Sequence, residues 1–120
     1  MANRITKADH AGGEDYFVHT FDQLDAIGVS DAVYVHGLSG HTFQVNVADV
    51  DTNVIIRFEG SLDGVNFANI SAGNTDETVS ADGTYLYTRS DLTVEYMRVR
   101  FVSESGSTTP TVDTVYSGRL

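Results

Sequence analysis

The residues of this chain that could carry chemistry are few, and their spacing argues against most of it. Gly37-Leu38-Ser39-Gly40-His41 approaches the nucleophile elbow of a hydrolase, in which a strained turn presents a serine between a strand and a helix. Here the second glycine arrives one position early, His41 takes its place, and a strand pattern follows, so the segment reads as a glycine turn between strands. Asp49-Val50-Asp51-Thr52-Asn53 sets oxygen-bearing side chains at alternate positions, as the front of a calcium loop does. Such a loop needs Gly at its sixth position and Glu at its twelfth. The chain has Val54 and Gly60 there, and a polar inter-strand turn is the better reading. His10, His19, His36 and His41 share no metal-site spacing, no cysteine exists to join them, and they read as surface or half-buried imidazoles. Glu59 and Asp63 form a carboxylate pair by number only, since nothing isolates either in the apolar pocket that acid/base tuning requires. Tyr34, Tyr85, Tyr87 and Tyr116 offer rings for stacking on a sugar, but the chain lacks tryptophan and packing is the simpler role. No catalytic residue, metal or cofactor is expected, and the chain is read as a non-enzyme.

The elements that hold these residues are strands. The stretch Val54 to Phe67 is an apolar run, an acidic turn ending in Gly, and a second strand opened by an aromatic, which predicts a β-hairpin. Asp63-Gly64 supplies the positive φ of a tight turn, and Phe58 and Phe67 give the flanking strands something to bury. Strands are predicted at 16–21, 32–36, 41–47, 53–60, 66–70, 84–88, 94–103 and 111–117. Alternation is clean at Phe43, Val45 and Val47 and again at Met97, Val99 and Phe101, so one face of each strand is core. About eight short strands with turn signals between them predict an all-β protein, an antiparallel, jelly-roll-like β-sandwich. One short helical turn is expected within Thr20–Gly28, capped by Asp22 and ended by Gly28. Ser103–Pro110 reads as a flexible loop before the last strand. Residues 1–15 are expected to be a flexible N-terminal arm, and 16–120 the sandwich domain.

Two places break the alternation. Val54, Ile55 and Ile56 are consecutively apolar, as are Tyr96 and Met97, so both faces of those strands are expected to be covered, by a partner subunit or by a loop of the same chain.

Composition narrows the partners. Seventeen acidic residues face seven basic ones for a net charge of −10, Lys7 is the only lysine, and Arg4, Arg57, Arg89, Arg98, Arg100 and Arg119 are scattered among carboxylates. Nucleic-acid binding needs clustered cations and is not expected. No apolar run reaches the ~20 residues of a membrane span and the first residues lack a signal-peptide core, so a soluble protein made in a cytoplasm is expected, with no membrane partner.

The string Glu59-Gly60-Ser61-Leu62-Asp63-Gly64-Val65-Asn66-Phe67, followed by Tyr96-Met97-Arg98-Val99-Arg100-Phe101, resembles small β-sandwich virion proteins of tailed bacteriophages. Phe67 stands where such proteins often carry tryptophan, and the resemblance covers about a third of the chain. It implies a capsid decoration or cement protein on the virion surface, a homotrimer that binds between subunits of the phage major capsid protein and stabilises the head. On that reading Val54, Ile55, Ile56, Tyr96 and Met97 are candidates for the subunit interface, and Arg4, Ile5 and Lys7 for capsid docking. The alternative is a carbohydrate-binding or tail-associated β-sandwich module, since a similar hairpin occurs in galactose-binding-like sandwiches.

Overall fold

A computed structural model describes residues 5–7 and 16–120. The strands are β1 (Ile5–Lys7), β2 (Tyr16–Thr20), β3 (Gly28–Val29), β4 (Val33–Tyr34), β5 (Gly40–Ala48), β6 (Asn53–Ser61), β7 (Ala68–Asn69), β8 (Glu77–Val79), β9 (Gly83–Arg89), β10 (Tyr96–Ser105) and β11 (Thr111–Arg119). They form two antiparallel sheets packed as a sandwich. The first has the order β1-β2-β11-β5-β9; the second has the order β3-β10-β6-β7, with β4 also on β10 and β8 also on β6. Each of the eight predicted strands has its counterpart. Those not foreseen, β1, β3 and β8, are only two or three residues long, too short for alternation to register.

Alternation does the sorting. Phe43, Val45 and Val47 of β5, Val54, Ile56 and Phe58 of β6, and Met97, Val99 and Phe101 of β10 all turn inward and are buried. The two sheets meet at Phe43 and Phe58, whose rings stack with centroids 4.1 Å apart, flanked by Tyr116 and Tyr87. Full burial of a side chain of this size stabilises the fold by about 1.5–3 kcal/mol relative to exposure, so this aromatic seam anchors the sandwich.

Three expectations need correction. The stretch from Thr20 to Gly28 makes no helical turn. Phe21 N–H donates to the Thr114 carbonyl and Leu24 exchanges two backbone hydrogen bonds with Val112, so the chain stays extended along β11 and buries Phe21 and Leu24 there. Asp22, expected to cap that turn, donates its backbone amide to Asp31 Oδ1. The Ser103–Pro110 segment is tied down: β10 runs on to Ser105, the Ser107 amide and hydroxyl donate to Asp51, and Pro110 is buried. Finally, His19 and His41 are fully buried, where surface or half-buried imidazoles were expected. His41 Nε2–H donates to the Leu92 carbonyl at 2.8 Å, which leaves Nδ1 to accept the Tyr116 hydroxyl at 2.5 Å. Burial holds His41 below its ordinary pKa, and nearby Arg89 acts in the same direction.

The predicted hairpin exists, with a wider mouth than a tight turn. Pairing of β6 with β7 ends at Gly60 opposite Ala68, and residues 62–67 form the loop between the two strands. Gly64 does take the left-handed φ of +77°.

Candidate interaction surface

The outer face of the β3-β10-β6-β7 sheet collects the side chains that the inward alternation leaves over. On β6 these are Ile55, Arg57, Glu59 and Ser61; on β10 they are Tyr96, Arg98 and Arg100. The antiparallel register sets Arg98 opposite Glu59 and Arg100 opposite Arg57. Glu59 is thereby surrounded: Arg98 Nε donates to its Oε1 and Arg100 Nε to its Oε2, each at 2.7 Å, with Arg57 Nη1 3.6 Å from Oε2. Its side chain is only 4% exposed although it points away from the core. Burial alone pushes its carboxyl up, but the hydrogen bonds from Arg100 and Arg98 outweigh that and hold it below the ordinary glutamate range. Arg57 makes a two-pronged pair with Asp76, at 2.7 and 3.1 Å, and Asn69 donates to the same carboxylate. Phe67, at the exit of the loop, is half-buried and lies against the Arg98 guanidinium, whose carbon is 3.8 Å from the ring centroid. Phe67 thus covers a cation instead of entering the core.

This arrangement changes how the hairpin and the later Arg-Val-Arg strand are understood. Arginines that look scattered in the sequence meet on one face, because Arg98 and Arg100 alternate outward and β6 supplies Arg57 in register. Each is paired with a carboxylate. The group clamps two central strands together and is no free cationic patch.

The loop beside it is organised by Ser61 and Asp63. The Ser61 hydroxyl donates to Asp63 Oδ1 and accepts the Asp63 and Gly64 amides. Asp63 Oδ1 accepts the Val65 and Asn66 amides at 2.8 Å, and its Oδ2 accepts the Asn66 side chain. These donors drive the Asp63 carboxyl far below the ordinary aspartate range. Tyr96 packs against Gly64, where an added Cβ would stand 3.1 Å from the ring, and Tyr34 lies 5.3 Å from Tyr96 by ring centroids. His36 stacks on Tyr34 and is held by Glu95 at 2.9 Å. Two large apolar side chains, Leu62 and Val65, project from this braced loop, 71% and 78% exposed, and the exposed Tyr34 adjoins the loop through Tyr96. A rigid loop that carries apolar side chains outward beside exposed tyrosine is suited to contact with another macromolecule.

The other sequence candidates fall as follows. Val54, Ile56 and Met97 are wholly buried within the chain's own core, while Ile55 is half-buried on the outer face and Tyr96 belongs to the aromatic group just described. Ile5 and Lys7 lie in β1, paired with His19 and Phe17 of β2; Arg4 falls outside the described residues, as does most of the segment 1–15. Gly37–His41 is a turn into β5, with Gly37 at φ +88° and Leu38 buried. Asp49–Asn53 links β5 to β6 and holds the loop of Ser107 and Thr108 through Asp51 and the Asp49 carbonyl. Among the described residues no three His, Asp or Glu side chains gather as a metal site would require. Of the four candidate tyrosines, Tyr116 is buried, Tyr85 and Tyr87 are half-buried, and Tyr34 is exposed. A depression of about 480 Å³ at the far end of the first sheet is lined by Arg89, Arg119 and several hydroxyls. His41 also borders it, but both of its ring nitrogens are already engaged.

No family model matches the chain, and no curated protein is similar to it in sequence. Among solved structures it is similar to the SPBc2 prophage-derived protein YomS, with a TM-score of 0.59 and 12% identity over 87% of this chain and 92% of that one. The likeness is one of fold.

Proposed function

We propose that the protein is a non-enzymatic phage structural component that decorates the capsid, binding between major capsid subunits and stiffening the head. The observation that carries this reading is the braced, protruding loop: Leu62 and Val65 are held outward by the Ser61–Asp63 hydrogen bonds, beside Tyr34 and Tyr96. Preorganisation of this kind lowers the ordering cost of an interface, and tyrosine and aliphatic side chains supply the area it buries. The shared fold with a prophage-derived protein supports a phage setting, and the resemblance of the hairpin and the Arg-Val-Arg strand to virion sandwich proteins supports the head. On this reading Ile5 and Lys7, on the β1 edge, together with Arg4, make a second contact.

The test is co-sedimentation of the purified protein with expanded capsids. Wild-type protein is expected to pellet with them. Val65→Asp and Tyr34→Ala should each weaken binding by about tenfold or more, as loss of an interface anchor does, while thermal unfolding stays unchanged. Failure of the wild type to bind, or binding indifferent to both substitutions, overturns the proposal. Glycan-array binding abolished by Tyr34→Ala would favour the carbohydrate-binding module in its place.

A further inference from the structure

β9 is a seven-residue edge strand whose register with β5 runs unbroken from Arg89 opposite His41 to Gly83 opposite Val47. Edge strands of proteins that stay monomeric usually carry a guard against pairing: a charge, a proline, a bulge or a cover. From Gly83 to Thr88 this strand has no charge, no proline and no bulge, and Leu86 at its middle is 68% exposed. Its sequence adds a further property. Thr84-Tyr85-Leu86-Tyr87-Thr88 reads the same in both directions.

An antiparallel pairing of two copies about a twofold axis is isologous, so residue i meets j wherever j meets i, and the palindrome makes the residues that meet alike. If two copies pair antiparallel about an axis at Leu86, Leu86 meets Leu86, Tyr85 meets Tyr87 and Thr84 meets Thr88, each twice over. Side chains of one kind then share a face: threonine and leucine outside, tyrosine inside. In a chain of net charge −10, whose copies otherwise repel, the stretch from Gly83 to Thr88 carries no charge, and Arg89 at its end is turned to the inner face, where it donates to the Ile70 carbonyl. At about 3.4 Å per residue the strand offers roughly 24 Å of backbone donors and acceptors. Beside it a groove opens between the sheets, floored by Phe43 and Phe58 and bordered by Tyr87, Leu86, Glu77 and Arg89, at whose mouth the second copy's strand would lie.

We propose that the chain self-associates as a twofold dimer through β9, joining two five-stranded sheets into one continuous sheet. The inference goes beyond the decoration reading and does not depend on it, since it concerns the protein alone in solution. Light scattering on the purified chain is expected to give twice the 13.0 kDa chain mass. Leu86→Lys and Leu86→Glu each place like charges across the axis and should give monomers with unchanged circular dichroism, because Leu86 faces solvent in the single chain, and with a melting temperature that no longer rises with protein concentration as the wild type's should. An equimolar mixture of the two should return to the dimer mass. A monomeric wild type, a trimer of the kind the resemblance implies, a dimer untouched by either substitution, or a mixture that stays monomeric would each overturn the proposal.

Discussion

Replacing Glu59 by glutamine keeps the shape of the side chain and removes its charge, which isolates what the carboxylate does for the arginine face. Two guanidinium Nε–H groups reach opposite oxygens of Glu59 at 2.7 Å. An amide has one oxygen to offer, so one arginine meets an NH2 donor where it had an acceptor. Breaking a fully buried ion pair by neutralising one member costs about 3–5 kcal/mol. Arg98 and Arg100 keep 20% and 34% exposure, so water recovers part of that cost, and the expected loss is about 2–3 kcal/mol. With a urea dependence of about 1–3 kcal/mol per molar, the unfolding midpoint at pH 7 should fall by roughly 0.7–3 M. The pH dependence supplies a second reading. Glu59 is held below its ordinary pKa in the fold, so its contribution is complete above the unfolded value of about 4.3 and disappears as pH falls through the folded value. The gap between wild type and E59Q should therefore close on acidification. Asp51, Asp63 and Asp76 shift in the same direction, so E59Q keeps some acid sensitivity of its own, while Glu77 is raised by burial and opposes them. A loss at pH 7 below about 0.5 kcal/mol would place the pair among surface contacts and refute the argument.

Gly118→Ala should destabilise by about 1–3 kcal/mol in chemical denaturation, since the new methyl would overlap the Tyr116 hydroxyl and stand 2.8 Å from Leu38 Cδ1. Adding Tyr116→Phe removes the hydroxyl overlap but leaves His41 Nδ1 without its donor, so the double variant should be less unstable than the sum of the singles. Because burial lowers the His41 pKa, stability should be full above the unfolded value of about 6.5 and decline as pH drops below it; His41→Gln, read by melting temperature at pH 7.5 and 5.5, should flatten that step. Arg98→Lys keeps the charge but loses the planar stack on Phe67 and the Nε bond to Glu59, and should cost about 1 kcal/mol in the same denaturation assay.

What the sequence made legible was set by period. Where apolar residues alternate over five or more positions, as in β5, β6 and β10, strand and inward face could both be read directly. The segment 20–28 misled because Asp22 as a cap and Gly28 as a stop suit one helical turn, whereas an aspartate and a glycine serve an extended connection equally well. Only the partner carbonyls on β11 distinguish the two. The burial of His41 had a local signal in hindsight: it opens the alternating run His41, Phe43, Val45, Val47 and shares its inward face. The arginine face had none within a single segment, because it depends on the register between β6 and β10, which no residue of either strand states alone.

That dependence bears on what the hairpin motif can mean. Glu59, Phe67, Arg98 and Arg100 are among the residues that carry the resemblance to virion proteins, and their side chains pair with one another; Tyr96, which also carries it, packs against Gly64 and Tyr34. Ser61, Asp63 and Gly64 fold the loop on itself. A motif whose groups are satisfied internally specifies how two strands and a loop are braced, so it can serve sandwiches with different partners. The side chains that remain to choose a partner lie outside that brace: among the described residues they include Leu62 and Val65 on the loop, Tyr34, and, away from the motif, Ile27, Val29, Leu86 and Leu120. Substitutions there should move binding or assembly while leaving the stability of the single chain in place, and substitutions in the motif should do the reverse. If Val65→Asp unfolded the protein, or Glu59→Gln abolished capsid binding with no loss of stability, that division between brace and contact would be wrong.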